Sequence, residues 1–410
     1  MDKTNSKNAF GPLQGVRVIS LCQAIAGPFA CSMLGDLGAD VIGIENPRGR
    51  DTSRPGPQNP GWGTVMDRRN SRSLCADVRS PEGRGILEKL LASADMLIEG
   101  FRGGQMEKWG LSDEKLWEIN PRLVIVHISG YGQTGVPSFV RRPSFDGIGQ
   151  AYSGFMEMNG FADRPPIPAF PQVSDYYAGF MALTGGLSAL YRAKATGEGE
   201  SVDVAQFEAM LRCSGYYIMD YLNTGTLPKR NGSFNAGMGS YECSDGTPLY
   251  IMMIGAGVMK GACRVLGLDY GTEPFPEGIS GARKTTEAGR VLEAALLDYL
   301  ANHTAGEAEE EFLSAGVPCS RVYTFAMGEQ DPHYQARGIF TEWENAYDES
   351  SVRGVNVVPK LKRNPGAIGR GMPCIGQHNE EVLEELGYSP SQMEALYVSG
   401  VIKKEASPQG

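Results

Sequence analysis

The stretch Gly15-Val-Arg-Val-Ile-Ser-Leu21, followed after Ala26-Gly27-Pro28 by Phe29 to Leu37 and then by Ala39-Asp-Val-Ile-Gly-Ile-Glu45, decides the fold. Its outer parts are strand-like apolar runs and its middle is a helix. A βαβ unit of this kind requires parallel strands joined by a right-handed crossover. The alternation continues through a strand at Ser73 to Val78, a helix from about Pro81 to Ala92, and strands at Asp95 to Glu99 and Leu123 to Ser129. An open α/β sheet is the economical account, and such sheets bind ligands at the carboxyl ends of their strands. The first turn lacks Gly-x-Gly-x-x-Gly, so a nicotinamide or flavin dehydrogenase loses its main local support.

Further along, Thr196-Gly-Glu-Gly-Glu-Ser201 reads as a turn, Val202 to Val204 as a strand and Gln206 to about Tyr221 as one helix. The composition shifts at the Gly/Asn-rich connection Asn223 to Gly239. A region of different texture then runs to Tyr334, with a hairpin-like Ser240 to Ile251 around Asp245-Gly246 and a helix over Arg290 to Ala301. Strand-like segments and Pro-rich turns return from Ile339, a helix follows near Asn379 to Leu386, and the polar tail Lys403 to Gly410 is expected to be disordered.

A chain of 410 residues is long enough for about two domains and a large core. A net charge of -10 without a basic block argues against nucleic acid as a partner. The start Met-Asp-Lys-Thr-Asn-Ser-Lys has no apolar core for a signal peptide, and no later run is long enough to cross a bilayer, so a cytoplasmic protein without membrane contact is expected. The eight cysteines are scattered and read as reduced, mostly buried thiols. His127, His303, His333 and His378 are far apart, which leaves no metal-ligand spacing. His127, inside Leu123-Val-Ile-Val-His-Ile128, reads as a satisfied core histidine.

Between Pro171 and Leu190 one carboxylate, Asp175, heads an otherwise apolar helix whose Ala178, Gly179, Ala182, Gly185 and Gly186 allow close packing. Two readings are open on these residues alone. Ser174 or Asp175 caps the helix, or Asp175 is a catalytic nucleophile.

Several segments, in order, resemble the class III coenzyme A transferases: Gly11-Pro-Leu-Gln-Gly-Val-Arg-Val18, Ala26-Gly27-Pro28, Leu37 to Glu45, Ser129-Gly-Tyr-Gly-Gln133, Asp146 to Gln150, Asp175, and Thr196 to Val204. The similarity runs from about Phe10 to Tyr388. It implies an open Rossmann-like parallel sheet in a large domain built from residues 1–222 and 335–410, a small α+β domain inserted at 223–334, and an interlocked homodimer. It also implies that Asp175 attacks an acyl-CoA, passing through an acyl-aspartyl anhydride and an aspartyl-CoA thioester. Coenzyme A is then a substrate and no cofactor is permanently bound. By the same resemblance Ala24, Ile25 and Ala26 match an adenine-side loop, Arg72, Arg102 and Lys108 lie at or near the basic positions for CoA, and Gly255 and Gly257 stand in a glycine loop over the active site.

Within this family the closest likeness is to carnitine and bile-acid enzymes, through Gly110 to Trp117, Asp220 to Gly225 and Arg363 to Gly366. Carnitine, crotonobetaine and γ-butyrobetaine-type acids are favoured, with Tyr152, Phe155, Tyr176, Tyr177 and Tyr217 as candidates to hold a quaternary ammonium. A bile-acid transferase is the alternative. An acyl-CoA racemase or epimerase would need a histidine just before Asp146, where Phe145 stands and no proton can be carried. A CoA-binding protein without chemistry is the remaining rival.

Overall fold

In a computed structural model of the chain, residues 9–49, 51, 53–55, 61–230, 232–345 and 349–405 are described. The chain divides into two compact units. One comprises Met1–Asn159, Ile167–Pro228 and Gly338–Gly410, the other Gly160–Pro166 and Lys229–Arg337.

The larger unit holds a six-stranded parallel sheet of β1 (Arg17–Leu21), β2 (Asp40–Glu45), β3 (Ser71–Cys75), β4 (Met96–Glu99), β5 (Val124–Ser129) and β6 (Glu200–Ala205). Their order is β3-β2-β1-β4-β5-β6. Alternate residues of the strands enter opposite cores, as the two-residue period of a strand demands. Val18, Val41, Met96, Val124 and Val126 pack with Ala178 and Ala182 of the helix Val173–Thr196. Ile19, Ile42, Leu97 and Ile125 pack on the other face with Leu87 and Leu90 of the helix Pro81–Ala92 and Leu383 near the end of the chain. Each fully buried side chain of this size contributes about 1.5–3 kcal/mol. A register slip of one residue would therefore turn every one of them to the wrong face.

Small residues bring the helix Val173–Thr196 down onto the sheet. A Cβ on Gly186 would lie 3.1 Å from Met96 Cε and 3.2 Å from Val126 Cγ2, and one on Gly179 would meet Phe29 at 2.7 Å. The helix Pro81–Ala92 starts as its sequence dictates, with Ser80 accepting the Gly83 N–H and proline in the first turn.

Two expectations are corrected, the single helix and the disordered tail. The single helix expected over Gln206 to Tyr221 is two, Gln206–Cys213 and Tyr216–Thr224, because Gly215 takes a positive φ of 59° between them. The strand-like segments after Ile339 are Phe340–Glu344 and Ser351–Val355. They form a separate antiparallel pair within the larger unit, packed on Val65 and Met372. The first residues of the expected disordered tail are docked: Lys403 donates to Cys75 O at 3.2 Å and Glu405 to Ile375 O at 3.0 Å, while residues 406–410 lie outside the described residues.

That docking belongs to a wider seam. Cys75 N donates to Asn379 Oδ1 at 2.8 Å, and Ser73 N to His378 Nδ1 at 3.1 Å. Arg72, 2% exposed, binds Asp40, Glu381 and Glu385.

The smaller unit carries a three-stranded antiparallel sheet of Met238–Glu242, Pro248–Met252 and Cys319–Arg321. Leu249 and Ile251 of the middle strand share a core with Met259, Leu292, Leu296 and Phe312 of three helices. The hairpin expected around Asp245-Gly246 is its first two strands.

Candidate active site

The order β3-β2-β1-β4-β5-β6 reverses direction between β1 and β4, where the loops leaving the two strands part and open a crevice. A cleft of about 410 Å³ lies there, lined by residues 23–27, 51, 100–102, 128–130 and 142–145 with Asp175 and Gln206. Its lip is held firmly. Ala24 sits at a positive φ of 59°, unusual for a residue with a Cβ, and its N–H donates to Asp51 Oδ2 at 3.1 Å. Asp51 is paired in turn with Arg68 at 2.8 Å, which also donates to the Cys22 carbonyl.

Asp175 stands in the first turn of the helix Val173–Thr196, but neither it nor Ser174 is the cap. The N-cap position is Gln172, without a side-chain hydrogen bond. Asp146, from the helix Asp146–Tyr152, supplies the missing acceptor: its Oδ1 takes the N–H of Ser174 at 2.7 Å and that of Asp175 at 3.4 Å. Gln150 fixes Asp146 through a 2.7 Å bond to Oδ2 and is itself held at both ends of its amide by the backbone of Ala169. Capping from a second helix leaves the Asp175 carboxylate free to face the cleft. There Gln206 donates a short hydrogen bond to Oδ1, and Ser144 Oγ at 2.9 Å orients the Gln206 amide.

Burial pushes the Asp175 pKa up, the charge of Asp146 adds to it, and the Gln206 bond opposes both; the result is about 7. Such a carboxylate is poorly solvated and unusually basic, as suits attack on an electrophilic carbonyl. Phe145, 72% exposed, stands on the cleft wall and can carry no proton.

A second cleft, of about 640 Å³, shares Phe101 and Arg102 with the first and adds Arg79, Gly103, Gln105, Lys108, Trp109 and Arg141. Four cations thus converge beside the Asp175 cleft. Ala24, Ile25, Ala26, Arg102 and Lys108 are brought into this system of two clefts. Arg72 is not: among the described residues its ion pairs are to Asp40 at the start of β2 and to Glu381 and Glu385 of the helix Asn379–Glu385. Nor do Gly255 and Gly257 lie in one loop. Gly255 has φ 108° and precedes the helix Ala256–Val265, and Gly257 is inside that helix, whose Met259, Ala262 and Cys263 are drawn into the core of the smaller unit.

Asp146, Gln206, Arg79 and Arg141 were not expected as a set. Gln206 directly follows β6 and Arg79 follows β3, so position after a strand end was the available signal. Among the described residues no group of three or more His, Cys, Asp or Glu could hold a metal ion. No helix of the described residues is long and apolar enough to cross a membrane.

Comparison with known proteins gives the family of the chain. Residues 13–379 match the family described as CoA-transferase family III. The chain is 39% identical over 403 residues to the bile acid CoA-transferase BaiK of Clostridium scindens, covering 97% of this chain and 91% of that protein. Among solved structures it resembles a CAIB/BAIF family protein from Brucella suis, with a TM-score of 0.78 and 30% identity over 92% of this chain and 100% of that one. Rv3272 from M. tuberculosis superposes equally well, with a TM-score of 0.78 at 23% identity, over 91% of this chain and 99% of that one.

Proposed function

The chain belongs to CoA-transferase family III, and we propose that its chemistry runs through Asp175. The carboxylate attacks the thioester carbonyl of an acyl-CoA, giving a mixed anhydride and CoA thiolate. The thiolate then attacks the aspartyl carbonyl, releasing the first acid and leaving an aspartyl-CoA thioester. An incoming carboxylate attacks that thioester, expelling thiolate and forming a second anhydride. Return of the thiolate to the new acyl carbonyl releases the new acyl-CoA and restores Asp175. Thioester energy is conserved as long as water stays away from the anhydrides. The observation carrying this reading is a buried carboxylate in the switch-point cleft, hydrogen-bonded on one oxygen and capped from elsewhere.

The nucleotide end of CoA is assigned to the basic cleft, where Arg79, Arg102, Lys108 and Arg141 offer charge-assisted donors to its phosphates. For the acid, we favour a bile-acid-type steroid carboxylate over a betaine. The 39% identity to a bile acid CoA-transferase supports this. The rings proposed for an ammonium cage also have separate partners: Tyr176 packs on Phe29, Tyr152 joins Tyr131, Phe139 and Phe207, and Tyr217 stacks on Tyr216. The test is CoA transfer to cholate, carnitine, crotonobetaine and γ-butyrobetaine, with hydroxylamine trapping followed by peptide mass mapping. Turnover of cholate and a hydroxamate on Asp175 are expected. Turnover of the betaines alone would overturn the steroid assignment, whereas trapping at another residue would overturn the nucleophile.

We also assign the protein to a homodimer. The helix Tyr216–Thr224 has no buried residue although Tyr216, Met219, Tyr221 and Leu222 are apolar and exposed, a face that a second copy would cover. Light scattering after dilution to nanomolar concentration should still give the dimer mass. A folded monomer there would refute the assignment.

A further inference from the structure

Two buried groups, Glu99 and His127, and the half-buried Asp113 take no part in the chemistry above. Glu99 ends β4, and the parallel register sets it beside His127 on β5. Its two oxygens are divided between tasks. Oε1 lies 2.7 Å from His127 Nδ1, and Oε2 accepts the backbone N–H of Phe101 at 2.6 Å. On the far side of the ring, Nε2 lies 3.0 Å from Oδ1 of Asp113, the first residue of the helix Asp113–Ile119. Glu99 and His127 are 1% and 4% exposed.

Burial raises the Glu99 pKa while the bond and charge of His127 oppose it; with both carboxyls ionised, each ring nitrogen must donate an N–H and the imidazole is a cation. Burial pulls its pKa down, but the hydrogen bonds and charges of Asp113 and Glu99 outweigh burial and carry it up to about 10. A buried ionic set of this kind is a poor source of stability, since a packed apolar set of equal volume does as well. What an apolar set could not supply is a fixed acceptor for Phe101 N–H. Phe101 opens the turn that bears Arg102 and Lys108, and its ring packs edge-on against Trp109 at 4.8 Å, so the turn is tied at both ends. The cation in the middle also offsets a carboxylate that would otherwise repel phosphate from the neighbouring cleft.

We propose that Asp113, His127 and Glu99 act as a positioning relay that fixes the turn 101–109, so that Arg102 and Lys108 are preset for the phosphates of CoA. The proposal rests on the assignment of the basic cleft to the CoA nucleotide. The relay residues touch neither substrate nor reacting atoms; they act through the backbone of Phe101.

The experiment uses the full-length protein and two probes: the dissociation constant of coenzyme A, and the rate at which a pantetheine thioester, which lacks the nucleotide, labels Asp175. Glu99→Gln should weaken coenzyme A about tenfold and Asp113→Asn about threefold, with pantetheine labelling within about twofold of wild type. Asp113 is on the outer side of the relay, so its variant carries the test if Glu99→Gln does not fold. Equal loss on both probes, or unchanged coenzyme A binding in the folded variants, overturns the relay. Arg102→Ala is measured alongside. If it fails to weaken coenzyme A, the cleft assignment falls and the relay with it. If Arg102→Ala weakens coenzyme A and the relay variants do not, the relay alone falls.

Discussion

Replacing Asp175 by asparagine is expected to lower the CoA-transfer rate by at least about a thousandfold, because the amide is a far weaker nucleophile and forms neither anhydride nor thioester. The fold should survive, since Asp146 and not Asp175 holds the helix N-terminus. The same variant tests the electrostatics of the cleft. In the unfolded chain the carboxyl titrates near its ordinary 3.8, and in the folded protein near about 7. Below both values the two states hold the same proton and the contribution to stability is complete. As the pH rises from about 4 to 7 the unfolded state releases the proton while the folded state retains it, so stability falls through that window and levels off above it. Asparagine has no proton to lose. Asp175→Asn should therefore melt with the wild type near pH 4 and several degrees above it at pH 8, reflecting a difference on the order of a few kcal/mol. Coincident melting curves at pH 8 would show that the carboxylate is not desolvated. Under the proposed mechanism the anion is the attacking species, so the transfer rate should climb through about pH 7.

Arg72→Ala is expected to cost about 3 kcal/mol of stability, measured by urea unfolding, because it removes the buried cation shared by Asp40, Glu381 and Glu385, of which Asp40 and Glu385 keep Arg17. Arg102→Ala, which makes no such seam, should leave the unfolding midpoint in place and weaken coenzyme A instead. If the two variants exchanged these behaviours, the division between the structural arginine and the cleft arginine would be wrong.

The contrast between these arginines also shows where sequence reasoning reached and where it stopped. The βαβ start, the parallel pairing and the helix Pro81–Ala92 were legible because each rests on local periodicity and on caps within a few residues. On its own helix Asp175 stayed open between a cap and a nucleophile; resemblance singled it out, and the cap reading falls because Asp146 takes the helix N–H groups. Arg72 was misplaced by likeness of position, although a physical cue was present: it is the second residue of β3, while ligands gather beyond the carboxyl ends of strands. Arg79, just past that end, fits the same rule. Asp146 could not be read as the cap of a helix nearly thirty residues away, since nothing local encodes a bond across that separation. The break at Gly215 did carry a local signal, a glycine able to take a positive φ, whereas Gly257 is helical although glycine disfavours helix interiors.

The seam between β3 and the end of the chain has a consequence for how the protein is made. Arg72 bonds Glu381 and Glu385 across separations of 309 and 313 residues, and Cys75 bonds Asn379 across 304. During synthesis the first three strands emerge long before these partners exist, and Arg72 then has only Asp40 and solvent. The smaller unit, almost wholly contiguous over Lys229–Arg337, emerges complete while the larger one still waits. The order of maturation therefore runs against the order of translation: the middle of the chain is able to fold first, and the sheet that opens the sequence is sealed last.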